Sequence, residues 1–284
     1  MSKQPVLILL FAFVVLVGCP VTDDDTGGDD DTEGDDDTGD DDTADDDTGD
    51  DDTGDDDTGD DDTGPTHPAE GRDFLRDWTN ANWTEPPGIG GVLGQYLADT
   101  HVIMHVETID QGTGQIWMYG GTVDGPGPQY QQDLCIPTYS YNNGQPGVWN
   151  EPVYGVGPVD LHYVHEGHPG VTYGFVATGT IAPDGSSMSN GSVAGSVDTR
   201  FLDPLIDPEA GLGVACELLS SLGINCLPCP AGQGPFCIDF EATGITAAEV
   251  TVTGINPETE QTTNTLTEVD QAQVQAWHDN GLCL

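Results

Sequence analysis

Five histidines fall in two short stretches of the chain and offer the clearest potential for chemistry. They are His101, His105, His162, His165 and His168. Imidazole is the commonest protein ligand of transition metals, and Glu107 and Glu166 lie close to these histidines in the sequence. A metal-dependent extracytoplasmic enzyme is therefore one hypothesis for this chain.

The elements that would position these histidines limit how they share a metal. On a strand, His101 and His105 would lie about 13 Å apart, which is too far for one ion. A metal site would need one of them together with ligands from residues 159–169. The stretch His165-Glu166-Gly167-His168 also lacks the helical spacing of a His-Glu-x-x-His zinc motif. Exposed or packed histidines without a metal are the simpler interpretation.

Cysteine is the second residue type with chemical potential, and the chain has seven. Six of them lie after residue 19: Cys135, Cys216, Cys226, Cys229, Cys237 and Cys283. An even number in an exported chain is typical of three disulfides, and fifteen pairings are open. The pattern C-x9-C-x2-C-x7-C also allows a four-thiolate zinc site or a redox pair at Cys226 and Cys229. Because the compartments outside the cytoplasm are oxidising, we expect these cysteines to form disulfides.

Sequence motifs of the major enzyme classes are missing. The chain has no Gly-x-Ser-x-Gly elbow, phosphate-binding loop or dinucleotide fingerprint. Its acids are too numerous to identify a pair for glycoside hydrolysis. Four aromatic residues flank loops rich in Gly, Pro and Asn, where flat rings could bind sugars or peptides or could pack in the core. These residues are Tyr139, Tyr141, Trp149 and Tyr154. We predict a non-catalytic protein with no cofactor.

Residues 1–18 have the features of a secretory signal peptide. Lys3 provides the positive charge, and the apolar core from Pro5 to Val17 is shorter than the ~20 residues of a membrane-spanning helix. The sequence Leu16-Val17-Gly18-Cys19 then resembles the lipobox of bacterial lipoproteins. The resemblance implies cleavage before Cys19 and acylation of that cysteine with fatty acids such as palmitate. Several acyl chains on one residue give stable membrane anchoring.

Residues 19–64 form a low-complexity stalk in which the unit Asp-Asp-Asp-Thr-Gly repeats. From Asp23 to Gly64 the chain holds 24 Asp and one Glu. It has almost no apolar side chain to bury, so we predict an extended, disordered spacer. Weak Ca²⁺ association is expected, but the acids lack the spacing of an EF-hand. An acidic run behind Cys19 also resembles signals that send some lipoproteins to the cell surface.

Charge restricts the partners of the remaining region. Residues 65–284 hold 26 acidic residues against three arginines, a balance of −23 before any histidine is charged. Nucleic acids and anionic lipid headgroups are bound through Lys and Arg, so both are excluded as docking partners. The expected partners are the membrane, through the lipid anchor, and an unknown envelope protein or glycan. We expect the bacterial outer membrane, on its periplasmic or cell-surface face.

Residues 65–284 are predicted to form one globular domain, with a possible subdivision near residues 201–208. Short alternating apolar runs and many Gly and Pro turns favour an antiparallel barrel or sandwich stapled by disulfides. The predicted strands cover residues 100–109, 115–122, 134–136, 159–165, 171–181, 191–201, 236–241 and 249–255. The last two are expected to pair with each other.

Two short helices are expected to pack against this sheet. The first would begin at a cap on Asp207 and place Leu212, Cys216 and Leu219 on one face. The second would follow a capping box at Thr267 and Asp270, with Cys283 tying the chain end to the body. A further short helix is an option around residues 73–78.

Overall fold

The structure is a computed structural model, and it describes residues 66–87, 101–125, 127, 129–165, 168–209 and 211–283. The predicted signal peptide, the lipobox-like sequence and the predicted Asp-rich stalk lie outside the described residues. No helix in the described part is long and apolar enough to cross a membrane.

The described part is built mainly from β-strands, numbered here in chain order. They are β1 (Arg72–Asp77), β2 (Asn82–Glu85), β3 (His101–Asp110), β4 (Gln115–Val123), β5 (Gln129–Gln132), β6 (Tyr139–Ser140), β7 (Gly147–Asn150), β8 (Val153–His165), β9 (His168–Ile181), β10 (Ser187–Asp198), β11 (Cys237–Ile255) and β12 (Thr262–Thr263). Three short helices accompany them: α1 (Asp203–Ile206), α2 (Val214–Ser221) and α3 (Gln271–Asp279).

Eight of these strands close into an antiparallel barrel. Their order is β1-β3-β4-β7-β8-β9-β10-β11, and β1 pairs with β11 to complete the ring. Closure leaves no long unpaired strand edge in the barrel wall. The predicted fold class, mainly β with an antiparallel barrel among its options, is therefore confirmed.

Alternation along the strands fills the barrel with side chains. On β3, Met104 and Val106 face the interior, whereas Ile103 faces outward, as the pattern predicts. Phe74, Ile116 and Ile181 are fully buried. An eight-stranded barrel is just wide enough for such a core.

A second apolar layer covers the outer face of β3 and β4. Ile103 and Tyr119 pack there with Tyr130 of β5, Val252 of β11 and Leu266 of the segment before α3. The chain end continues this layer with a cluster made from Leu134, Val269, Val274, Trp277 and Cys283. The barrel wall formed by β3 and β4 is thus covered by apolar side chains on its inner and on its outer face.

Three predicted elements need correction. Residues 72–77 form strand β1 where a helix was an option around residues 73–78, because Phe74 enters the core while Asp73 and Leu75 face the outer layer. Residues 134–136 form a turn. The two predicted strands 236–241 and 249–255 are one continuous strand, β11, which pairs with β10 and then with β1.

Both predicted helices exist, but their caps differ from the prediction. Helix α2 begins at Val214, and buried Asp203 caps it by accepting from the amides of Gly213 and Ala215 at 2.7 and 2.8 Å. Leu212 is 73% exposed and does not share the buried face. In α3 the cap is Asp270, which accepts from the Gln273 amide.

Three disulfides staple these elements together. They join Cys135 to Cys283, Cys216 to Cys226 and Cys229 to Cys237. The first ties the chain end to the loop after β5, as expected for Cys283. The other two link α2 to the Cys-rich loop and that loop to β11. Cys226 and Cys229 therefore bond to different partners and not to each other.

Candidate functional site

A cleft of about 450 Å³ opens on the outer face of the barrel beside β3 and β4. Its lining combines two carboxylates, two aromatic rings and small polar groups: Glu107, Thr108, Trp117, Met118, Tyr119, Ser140, Gly144 and Glu268. Clefts of this size with a few convergent polar groups are typical of ligand sites.

An irregularity in β3 brings Glu107 to this cleft. The pairing of β3 with β4 runs Val106 to Met118 and then Thr108 to Trp117, so Glu107 is left without a partner. A bulge of this kind turns consecutive side chains toward the same surface. Glu107 and Thr108 are consequently both exposed.

The opposite wall is the segment before α3, and side chains from β1, β5 and the loop before β6 hold it in place. The Leu266 amide donates to Asp73 at 2.9 Å, and the Thr267 amide donates to Gln132 at 2.8 Å. The Val269 amide donates to the Thr138 hydroxyl at 2.9 Å. Glu268 stands between these fixed points, so its backbone position is well determined.

The environment of the cleft changes the ionisation of Glu268. Partial burial raises the pKa of Glu268, and the charges of Glu107 and Asp270 raise it further. Burial likewise raises the pKa of the Tyr119 hydroxyl, which donates to the Leu266 carbonyl at 2.7 Å. Tyr119 is therefore a neutral donor, and the charge of the cleft is negative.

This arrangement suits a neutral, hydroxyl-rich ligand or a cation. The Trp117 ring is half-buried in the cleft wall and presents a flat apolar surface. Carboxylates accept hydrogen bonds from hydroxyl groups, and an aromatic ring covers the apolar face of a sugar. An anionic ligand would meet repulsion from both glutamates.

His105 lies beneath this cleft and is bound to Asp73. Its Nδ1 atom is 2.8 Å from the Asp73 carboxylate, and its ring packs 4.6 Å from the Tyr119 ring. The same carboxylate accepts from the Leu266 amide. The pair thus joins β1 and β3 to the segment that carries Glu268.

The other predicted histidine ligands occupy different surroundings. The His101 ring packs 5.0 Å from Tyr130, and His162 is exposed. The backbones of His165 and His168 are paired in the register of β8 and β9. Among the side chains that the structure describes, the one group of three close metal-binding residues is Asp198 with Cys229 and Cys237, and its two sulfurs are bonded to each other. None of the described histidines belongs to it.

The aromatic residues considered as platforms for sugars or peptides pack in the core, which was the alternative that the sequence left open. Tyr141, Trp149 and Tyr154 are buried in the barrel core, and Tyr139 packs against it. Sequence reasoning missed the ring that does reach the cleft, Trp117. The alternation of β4 could have indicated it, because Trp117 lies between buried Ile116 and Met118.

Comparison with known proteins reveals no relative: no family model matches the chain, and no curated protein or solved structure is significantly similar to it.

Proposed function

We propose that this chain is a non-catalytic, lipid-anchored envelope protein whose barrel binds a glycan in the outer cleft. The observation that carries the proposal is the half-buried Trp117 ring beside the exposed carboxylates of Glu107 and Glu268. Stacking on the ring would select the flat face of a sugar, and the carboxylates would accept from its hydroxyl groups.

Charge favours a glycan over the other expected partner, an envelope protein. Residues 65–284 have a net charge of −23, so a protein partner would need a basic surface, whereas a neutral glycan needs none. The cleft volume of about 450 Å³ also suits a few sugar rings better than a flat protein interface.

Binding to an array of neutral and amino-sugar oligosaccharides tests the glycan proposal. For the best binder, we expect Trp117→Ala and Glu268→Gln each to weaken the affinity at least tenfold, about 1.4 kcal/mol. Glu258→Gln, which changes an exposed acid elsewhere, should leave it unchanged. Absence of any binder, or equal binding by the three variants, would refute the proposed ligand.

The anchor is tested separately, through Cys19. Wild-type protein should incorporate a palmitate analogue and partition with membranes, and Cys19→Ser should do neither. Because acylation of one residue supplies the anchor, the variant should be released without detergent. A Cys19→Ser protein that still carries the label would contradict the lipobox interpretation.

A metal-dependent enzyme is the second candidate. One contact favours it: Asp73 binds Nδ1 of His105, and a metal-ligating imidazole commonly donates its other nitrogen to a carboxylate in this way. Stoichiometric metal in purified protein, lost in His105→Ala or His165→Ala, would support this candidate. A fully folded, metal-free preparation would remove it.

A further inference from the structure

Arg76 is the most unusual side chain of the barrel interior. It lies on β1 between two inward-facing residues, Phe74 and Trp78, and is only 6% exposed. Its guanidinium carbon is 5.6 Å from the centre of the Trp78 ring and 5.4 Å from that of Tyr141. One of its nitrogens is 2.6 Å from the Met104 sulfur.

No carboxylate in the described part of the chain pairs with this buried charge. Arg72 binds Glu249 and Arg200 binds Asp198, whereas Arg76 has neither partner. Burial raises the pKa of Tyr154 even though Arg76 lowers it, so this tyrosine stays neutral and provides no counter-charge. A buried cation without an anion is strongly destabilising, and two aromatic faces compensate only part of that cost.

Hydrogen-bond donors are in excess at the same place. A guanidinium has five N–H groups, and the weak acceptor Met104 is the one acceptor found for them among the described residues. The indole nitrogens of Trp78 and Trp83 are also buried and meet no acceptor there. The two rings stack with centres 6.0 Å apart, so Trp83 belongs to the same group.

A narrow pocket connects Arg76 with the outer surface. Its volume is about 10 Å³, roughly the space of one water-sized group. Its walls include buried Arg76 and Tyr154 but also exposed Thr178. The pairing of β10 with both neighbouring strands shifts register here, so the barrel wall is irregular at this point. Flexible Met104 and Met188 also line the pocket, which allows it to widen.

We propose that the barrel interior beside Arg76 binds a small monoanion, either a halide ion or a small free carboxylate. The anion would neutralise Arg76 and accept from its free N–H groups. This site lies inside the barrel, and it would stand even if the outer cleft bound no glycan. The two sites also differ in the charge of the ligand that they favour: the inner site favours an anion, whereas the carboxylates of the outer cleft repel one.

Thermal unfolding of the full chain in detergent tests the site with two probes, sodium bromide and sodium acetate. Sodium gluconate of equal ionic strength gives the baseline, because gluconate is too large for the pocket. At an anion concentration 100 times Kd, we expect the midpoint to rise by roughly 5–10 °C. A shift with both probes indicates a general monoanion site. A shift with bromide alone assigns a halide, and a shift with acetate alone assigns a carboxylate.

Arg76→Met should abolish this shift and, in gluconate, should unfold no earlier than the wild type, because an unpaired buried charge has been removed. Arg72→Met removes the same charge from a half-exposed ion pair and should keep the shift.

If Arg76→Met does not fold, quenching of the tryptophan fluorescence of the wild type by bromide tests the site. Saturable quenching by bromide supports the site, since Trp78 lies against Arg76. The absence of any anion-dependent shift together with strictly linear quenching, or an equal shift in Arg76→Met, would overturn it.

Discussion

At the scale of single residues, Asp73 of β1 links β3 and the segment before α3. Its carboxylate is 2% exposed and accepts from His105 on β3 and from the Leu266 amide of the segment before α3. The two contacts use different oxygens of the carboxylate, Oδ1 for His105 and Oδ2 for the Leu266 amide. One side chain therefore holds the inner barrel wall and the outer layer together, and with them the Glu268 wall of the cleft.

Replacing Asp73 with alanine should destabilise the fold by about 2–4 kcal/mol. The loss leaves the Leu266 amide and the His105 ring without their buried acceptor. Urea unfolding followed by circular dichroism measures the change. Asp239→Ala on β11 is the matched control, since Asp239 is exposed, and it should change stability by less than ~0.5 kcal/mol. Equal effects of the two substitutions would show that the Asp73 contacts contribute nothing.

Glu268 gives a prediction with a defined pH dependence. Its pKa is raised in the folded chain above the ordinary value of 4.5, by partial burial and by Glu107 and Asp270. Ionisation therefore costs the folded state more than the unfolded state. This penalty is complete above the folded pKa and disappears as the pH falls below 4.5.

Glu268→Gln should accordingly be slightly more stable than the wild type at pH 7 and equal to it below about pH 4. The gain should stay under ~0.5 kcal/mol, because the side chain is exposed and solvent screens its neighbours. Unfolding midpoints measured from pH 3.5 to 8 check both the sign and the window. A variant that is less stable at pH 7 would mean that Glu268 is stabilised by a contact instead of penalised.

At the scale of elements, the disulfides differ in how much chain they restrain. Cys135–Cys283 closes a separation of 148 residues, and Cys216–Cys226 closes one of 10. In the chain-entropy description, the longer loop stabilises the fold by about 2 kcal/mol more. Replacing both cysteines of each pair with serine and measuring urea unfolding compares them directly. Similar losses for the two pairs would contradict the entropic explanation.

Hydrogen exchange gives the same comparison a local readout. Removal of Cys135–Cys283 should deprotect α3, because Val274 and Trp277 then hold the helix to the body through apolar packing. Strands β8 and β9 should keep their protection, since neither contributes a residue to the apolar cluster around Cys283. Loss of protection throughout the barrel would show that α3 unfolds together with it.

Alternation and turn residues predicted most of the barrel, and the failures have local causes. The two strands predicted at residues 236–241 and 249–255 are continuous, because Gly244, with a positive φ of 75°, lets β11 bend and continue. The helix option at residues 73–78 is wrong because β1 carries charged Asp73 and Arg76 into buried layers on both of its faces, which charged residues rarely occupy. Glu268 could not be assigned to the cleft, since its position depends on contacts with Asp73, Gln132 and Thr138 in distant parts of the sequence.

At the scale of the whole molecule, charge of one sign dominates the surface. Only Arg72, Arg76 and Arg200 oppose the 26 acids of residues 65–284, and Arg76 is buried. Two of the three arginines are engaged in ion pairs. The remaining carboxylates repel each other more strongly in the compact chain than in the unfolded one, so self-repulsion opposes folding.

Salt should therefore stabilise this protein through screening. Between about 20 and 500 mM sodium gluconate at pH 7, the thermal midpoint should rise, because the Debye length falls from roughly 20 Å to about 4 Å. Most of the rise should come at the low end of this range. Gluconate keeps this effect apart from any small anion held at Arg76.

The control is the same titration near the isoelectric point of about 4.1, where the net charge vanishes and screening has little to act on. There the midpoint should be nearly independent of salt. A rise of equal size at both pH values would point to general exclusion of the salt from the protein surface. A midpoint at pH 7 that does not respond to salt would mean that the acids are spaced widely enough to leave folding unaffected. Either result would remove self-repulsion as the explanation, whereas a rise confined to pH 7 would show that repulsion among the carboxylates opposes folding.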